Sequence, residues 1–119
     1  MTYVTTGRPP LPAASTVRAT AAFVQARAEE GAQHLLQRIP VEQHDTPDTV
    51  ELLHVVRALG QAAEAAAYHL EGELLGDQPD EDTAHTLWQI LLDTAHPFHT
   101  HPDLPPNVRR ALKEGQQVG

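Results

Sequence analysis

Cysteine is absent from the 119-residue chain, lysine occurs once, and aromatic residues make up only 4%. Without cysteine the chain has no disulfide, no thiolate nucleophile and no cysteine-ligated zinc or iron–sulfur site. The scarcity of aromatic residues, together with abundant Ala and Leu, favours helices packed through aliphatic side chains over a β-sheet. The sequence shows no Gly-rich phosphate loop and no arrangement of catalytic side chains, so we expect a protein that is not an enzyme.

Basic residues and long apolar runs are also scarce. The formal net charge is −8 with the eight histidines counted as neutral, and this balance disfavours binding to nucleic acid or to an anionic membrane. No apolar run approaches the roughly 20 residues of a membrane-spanning helix, and the first residues lack the apolar core of a signal peptide. We therefore expect no nucleic-acid partner, no membrane partner and a cytoplasmic location. The preference for Ala, Arg, Pro and Gly over Lys and Asn is typical of high-GC bacterial or phage genes.

The longest predicted helix runs from Pro47 to Leu75. Thr46 is its predicted N-cap, Pro47 suits the first helical position, and Gly76 suits a left-handed stop after the last residue. Apolar residues recur at intervals of three and four, which predicts one buried side. The members of this predicted buried side are Leu52, Val56, Leu59, Ala63, Ala66, Leu70 and Leu74.

A second long helix is predicted from Ser15, as its N-cap, to about Arg38. Its predicted buried stripe consists of Val17, Ala21, Val24, Ala28, Gly31, Leu35 and Ile39. Both stripes carry small residues near their middle, so we expect the two helices to approach closely, with Gly31 near Ala63. The short connection 40–46 predicts that the two helices are antiparallel neighbours.

The rest of the chain predicts smaller elements around this pair. A third helix is expected from about Glu81 to Ala95 with Asp80 as its cap, and a short last helix from Pro106 to Glu114. Several prolines before residue 13 favour an extended N-terminal segment. The predicted fold is all-α: an antiparallel three-helix bundle with two long helices and one shorter, plus a short C-terminal helix, over residues 15–119. An extended Pro-rich arm over residues 1–14 precedes this single domain.

The short third helix suggests how the protein works. It cannot cover the full length of the two long helices, so part of their apolar surface needs another partner. We therefore expect a small acidic adaptor, regulator or subunit that acts through protein–protein contact, with a homodimer as the specific version. Phe23 and Leu36 lie off the buried stripe and Tyr68 lies on the solvated face, so these three residues are the candidate interface residues.

A His-rich segment between the third and last helices supports an alternative function. His96, His99, His101 and Asp103 fall within eight residues, and Pro97 and Pro102 stiffen the segment. Imidazole and carboxylate groups are suitable ligands for Zn²⁺ or Ni²⁺. The alternative hypothesis is therefore a metal-binding protein that uses this loop.

Overall fold

Residues 10–118 are described by the computed structural model, and side-chain environments are described as far as Glu114. This part of the chain contains four α-helices and no β-strand, which confirms the all-α prediction. The helices are α1 (Ala14–Arg38), α2 (Pro47–Leu75), α3 (Glu81–Ala95) and α4 (Pro106–Val118), with single 3-10 turns at Val41–Gln43 and His96–Phe98. The predicted arm over residues 1–14 lies mostly outside the described residues, and only its segment 10–13 is seen as non-helical chain.

The boundaries of α2 are those predicted from the sequence. Thr46 has an extended backbone, and Pro47 occupies the first turn of the helix. Backbone N–H groups in the first turn have no acceptor within the helix, so the missing N–H of Pro47 costs no hydrogen bond. The Thr46 hydroxyl donates to the Gln43 carbonyl at 2.8 Å, so Thr46 precedes the helix without capping it. The predicted left-handed Gly76 is wrong, because its φ is −79°. A side chain there would instead meet the Gly72 carbonyl oxygen at 3.0 Å, which explains why glycine suits the position.

The first helix starts earlier than predicted. Ala13 is the residue before α1, and its carbonyl accepts from the backbone N–H groups of Thr16 and Val17 at 3.0 and 3.2 Å. Ser15 therefore lies inside the first turn, and its predicted capping role is wrong. No side chain caps this helix end.

The third helix has the predicted limits and the predicted cap. The Asp80 carboxylate accepts from the Thr83 backbone N–H at 3.2 Å. This bond, with those from the Thr83 side chain and the Asp82 backbone, lowers the pKa of Asp80 below its ordinary value. The last helix is one turn longer than predicted and continues to Val118.

The hydrophobic core lies at the end of the molecule where α3 and α4 pack against α1 and α2. Its largest fully buried side chain is Trp88, at 1% exposure. The other buried members include Val17, Ala21, Phe23, Val24, Ala63, Ala67, Leu70, Leu91, Leu92, Leu104, Val108 and Leu112. Leu11 packs against this cluster from the segment before α1.

The two long helices contact each other along their length. Arg18, near the start of α1, bonds to Glu64 and Glu71 in the second half of α2. Further along α1, a Cβ on Gly31 would lie 3.5 Å from the Val56 side chain. The predicted pairing of Gly31 with Ala63 is therefore wrong, since Ala63 lies seven residues or about 10 Å farther along α2. The start of α1 meets the end of α2, and small residues do lie between them.

The predicted buried side of α2 is correct in only one half of the helix. Ala63 and Leu70 are fully buried as expected. In the first half, Leu52 of the predicted buried side is 42% exposed, whereas Leu53, which the prediction did not include, is buried. The reason is that α3 does not reach this half, so only the side facing α1 is covered there.

Candidate interaction surface

The two long helices extend beyond the third. At 1.5 Å per residue, the 29 residues of α2 span about 43 Å and the 15 residues of α3 about 22 Å. After α3 the chain folds back onto α1, where the rings of Phe98 and His101 meet Phe23 with centroids 6.3 and 5.8 Å apart. The remaining part of the α1–α2 pair, next to the connection 39–46, has no third helix over it within residues 10–118.

An uncharged strip follows α2 through this uncovered part. Its members Leu52, Val55, Leu59 and Ala62 are spaced by three and four residues, so they share one side of the helix. Val55 is 64% exposed, Leu52 is 42% exposed, Ala62 is exposed, and Leu59 is partly buried against the core. This apolar strip is about 15 Å long. It continues toward Ala66 in the core, one heptad after Leu59, so it is an extension of the surface that α3 covers.

Basic side chains border the strip on the α1 side. His34 and Arg38 follow Arg27 by seven and eleven residues, so all three project from the same side of α1. Arg27 contacts the loop after α3, with its Nη1 2.6 Å from the His101 ring nitrogens. His34 and Arg38 therefore lie on the uncovered side, and both are exposed.

Acidic side chains lie at the end of the strip that is next to the connection between the helices. Asp48 and Glu51 are exposed, and each stands four residues before a strip residue, Leu52 or Val55. Within residues 10–114, no ion pair involves these two acidic residues or the basic residues His34 and Arg38. The uncovered surface thus carries acidic side chains at the connection end of the apolar strip and basic side chains on α1.

The opposite side of the α1–α2 pair is closed by ion pairs. Arg57 donates to both carboxylate oxygens of Glu29 at 3.0 Å, and Gln33 donates to the same group. The hydrogen bonds from Arg57 and Gln33 lower the pKa of Glu29, and those to Glu29 raise the pKa of Arg57. Arg27 projects from the side of α1 that is next to the apolar strip. Glu29 lies two residues later, about 200° around the helix, so its bonds to Arg57 and Gln33 lie on the opposite side of the pair.

The three predicted interface residues do not lie on this surface. Phe23 is only 5% exposed and packs inside the chain, so the structure gives its predicted interface role no support, and that role stays a prediction. Leu36 is half-buried and lies seven residues from Glu29, on the ion-paired side. Tyr68 is 70% exposed, but it follows Glu64 by one turn and shares that side of α2. The sequence pattern does not indicate this strip, because the three-and-four spacing predicts buried positions for Leu52 and Leu59.

The predicted metal ligands are held in different arrangements. The rings of His96 and His99 stack with centroids 5.0 Å apart, and the His99 Nδ1 bonds to the His96 carbonyl. The His101 ring lies instead between Phe23 and Arg27, and its Nδ1 accepts from the Asp103 backbone N–H. Among the residues whose positions are described, no three His, Asp or Glu side chains are grouped to hold a metal ion. The geometry therefore gives the metal hypothesis no support, and it stays a prediction.

Arg27 fastens the loop after α3 to α1. Its side chain is only 8% exposed, and its guanidinium carbon lies 5.1 Å from the centre of the Phe23 ring. The carboxylates of Glu30 and Asp103 stand 3.7 and 3.6 Å from its nitrogens, and the buried Nε has no hydrogen-bond partner. These contacts hold the loop after α3 against α1 at Arg27. The part of the helix pair that α3 and this loop cover ends there.

Comparisons with protein-family models, with curated proteins and with solved structures find no match to this chain. Within the described residues, no helix is both long enough and apolar enough to cross a membrane. The function must therefore be inferred from the surface itself.

Proposed function

We propose that this protein is a non-enzymatic subunit that acts through protein–protein contact, and that the uncovered part of its two long helices binds a second copy of the chain. The finer fold proposed with it is an antiparallel three-helix bundle, extended at one end by the bare helix pair. In the homodimer, the long helices of the two copies bury each other's apolar strips as a four-helix arrangement.

The exposed strip on α2 is the observation that supports this proposal. Single exposed apolar residues are ordinary on protein surfaces, whereas contiguous apolar patches mark interaction sites. Val55 and Leu52 are exposed on a side of α2 that carries no charge for about three turns. Burying such surface is favourable by about 25 cal/mol for each Å² of apolar area removed from water.

The charges of both signs around the strip favour a second copy over an unrelated partner. An isologous interface brings one surface against itself, so it must be complementary to itself. A surface with acidic side chains on α2 and basic side chains on α1 can meet that condition, whereas a surface with charges of one sign would repel its copy. This local presence of both signs contrasts with the whole chain, in which Asp and Glu number 16 and Lys and Arg number 8.

Sedimentation equilibrium over a range of concentrations tests the proposal. We expect a mass approaching twice 13.0 kDa at high concentration. Changing Val55→Gln, alone or with Leu52→Gln, should weaken the dimer at least tenfold, with helix content checked by circular dichroism. Leu75→Gln is the matched control, because Leu75 is as exposed as Val55 but lies at the other end of α2. A monomeric mass at all concentrations, or equal weakening by the control, would contradict the proposal.

A further inference from the structure

The shape of the side that carries the apolar strip restricts how two copies can face each other. We infer that the dimer's twofold axis runs across the long helices near Val55, so that the two α2 helices pack antiparallel with their strips in contact. The end of α3 in each copy then stands next to the connection between the long helices of the other copy. This inference rests on the proposed homodimer and adds its orientation and its register.

The first step concerns the end of α3. The apolar strip lies on the same side of α2 as Ala66 and Leu70, which are 7% and 0% exposed in the core. The third helix covers that side in the second half of α2 and stops before Val55. A helix with its side chains is about 10 Å thick, so the uncovered surface lies about 10 Å below the outer surface of α3. This side of the molecule therefore has a step.

The second step compares the possible axes for two copies that face each other through this side. An axis parallel to the long helices would set the two α3 helices at the same level. Their outer surfaces would then meet first and would hold the two strips about 20 Å apart. An axis across the helices reverses one copy end for end, so each α3 lies beyond the end of the opposing helix pair. Only this second arrangement lets the two strips touch.

The third step places the axis along α2. Asp48, Val55 and Ala62 are spaced by seven residues, or nearly two whole turns, so they lie in line along the helix. Asp48 and Ala62 are exposed, whereas Ala66, one turn after Ala62, is buried. Asp48 and Ala62 thus mark the two ends of the uncovered line, and Val55 is its midpoint. In the antiparallel dimer Val55 faces Val55 of the partner subunit, and Asp48 faces Ala62 of the partner subunit.

The position of Asp48 in line with the strip favours the same orientation. If the two α2 helices packed in parallel, the two Asp48 carboxylates would lie side by side. In the antiparallel dimer 14 residues of helix rise separate them, which is about 21 Å. This separation exceeds twice the Debye length of about 8 Å at physiological ionic strength, so their repulsion is screened. Asp48 therefore acts against the parallel arrangement, since repulsion between like charges excludes wrong pairings.

Cysteine cross-linking tests the orientation and the register. The natural chain has no cysteine, so each variant carries a single thiol. A disulfide requires two Cα atoms within about 7 Å of each other. We expect Val55→Cys to cross-link to itself, and a mixture of Asp48→Cys with Ala62→Cys to give cross-linked heterodimers in preference to either homodimer. Asp48→Cys alone should not cross-link to itself.

Spin labels on Asp48→Cys provide a measurement that does not depend on forming a bond. Electron–electron resonance should give a separation of about 20–25 Å in the antiparallel dimer, against about 10 Å in a parallel one. Leu75→Cys is the control for random collisions, because Leu75 is as exposed as Val55 but lies at the other end of α2. It should cross-link neither to itself nor to Asp48→Cys.

The outcomes separate this inference from the proposed function. Each variant is first shown to be dimeric by sedimentation. In such a dimer, self-cross-linking of Asp48→Cys or a label separation near 10 Å would overturn the antiparallel orientation only. Failure of Val55→Cys to cross-link to itself would overturn the register. A wild-type protein that is monomeric at all concentrations would overturn the proposed function as well.

Discussion

Gly60 of α2 lies directly against the backbone of Gln25 in α1. A Cβ placed on Gly60 would come within 3.1 Å of the Gln25 Cα and within 3.3 Å of the Ala28 Cβ. Both distances are shorter than ordinary van der Waals contact, so the two helices approach as closely as they do because position 60 has no side chain. This contact sets the spacing of the helix pair on which the apolar strip is displayed.

Replacing Gly60 therefore gives the first prediction. Alanine is the better helix former by about 1 kcal/mol, but here its methyl group must push against the Gln25 backbone, and overpacking costs typically about 1–3 kcal/mol. We expect Gly60→Ala to lower the free energy of unfolding by about 1 kcal/mol, measured by urea denaturation. Gly72→Ala is the matched control, because a Cβ at Gly72 meets nothing within 4 Å, and it should stabilise the protein by about 0.5–1 kcal/mol. Stabilisation by both changes would show that the helices can separate at position 60 without cost.

A second prediction separates the buried Phe23 from the exposed Tyr68. Phe23 packs against Phe98 and His101 and supports the Arg27 guanidinium, so its removal leaves a cavity between α1 and the loop after α3. We expect Phe23→Ala to lower the free energy of unfolding by about 3–5 kcal/mol. Tyr68→Ala should change it by less than about 0.5 kcal/mol, because that side chain is mostly in water. A small effect at Phe23 would mean that the loop does not pack on α1 in solution.

The Asp80 cap gives a third prediction, which concerns pH. Its pKa is lowered in the folded protein, first by the Thr83 backbone hydrogen bond. The stabilisation is therefore fully present above the unfolded-state pKa and is lost as pH falls through the still lower folded-state pKa. We expect Asp80→Ala to destabilise the protein at pH 7, and its difference from the wild type to shrink as pH falls below 3.8, the ordinary value.

Asp80→Asn is the control for this cap. An asparagine side chain caps a helix about as well as aspartate but does not titrate in this range. The difference in unfolding free energy between Asp80→Asn and Asp80→Ala should therefore stay constant with pH. A difference between the wild type and Asp80→Ala that also stays constant would mean that the carboxylate charge plays no part.

Local sequence signals predicted most helix limits correctly. The Thr46–Pro47 pair and the Asp80 cap marked the starts of α2 and α3, because these residues act through their own backbone and nearest neighbours. Ser15 was misassigned because the Ala13 carbonyl begins α1 without any side-chain cap, and no sequence pattern distinguishes the two cases. A backbone carbonyl is present at every residue, so this kind of helix start carries no residue signature.

The relative positions of the helices were less predictable. Small residues in both helices indicated a close approach, but the offset that places Gly31 against Val56 depends on the connection and on side-chain packing. The length of the third helix did predict an uncovered part of the pair. The burial of Phe23 could not be predicted, because nothing in the sequence shows that the loop after α3 folds back onto α1.

The His-rich loop gives the last prediction. For His101 to join His96 and His99 around a metal ion, its ring must leave Arg27, which lies 2.6 Å from both ring nitrogens, and the edge of Phe23. We therefore expect Zn²⁺ to bind the wild-type protein no more tightly than about 10 μM, or roughly −7 kcal/mol, in a calorimetric titration. His101→Ala should leave this weak binding unchanged, whereas Arg27→Met, which removes the competing cation, should strengthen it. Tight binding by the wild type that is lost in His101→Ala would instead support the metal hypothesis, because it would show that the loop rearranges around the ion.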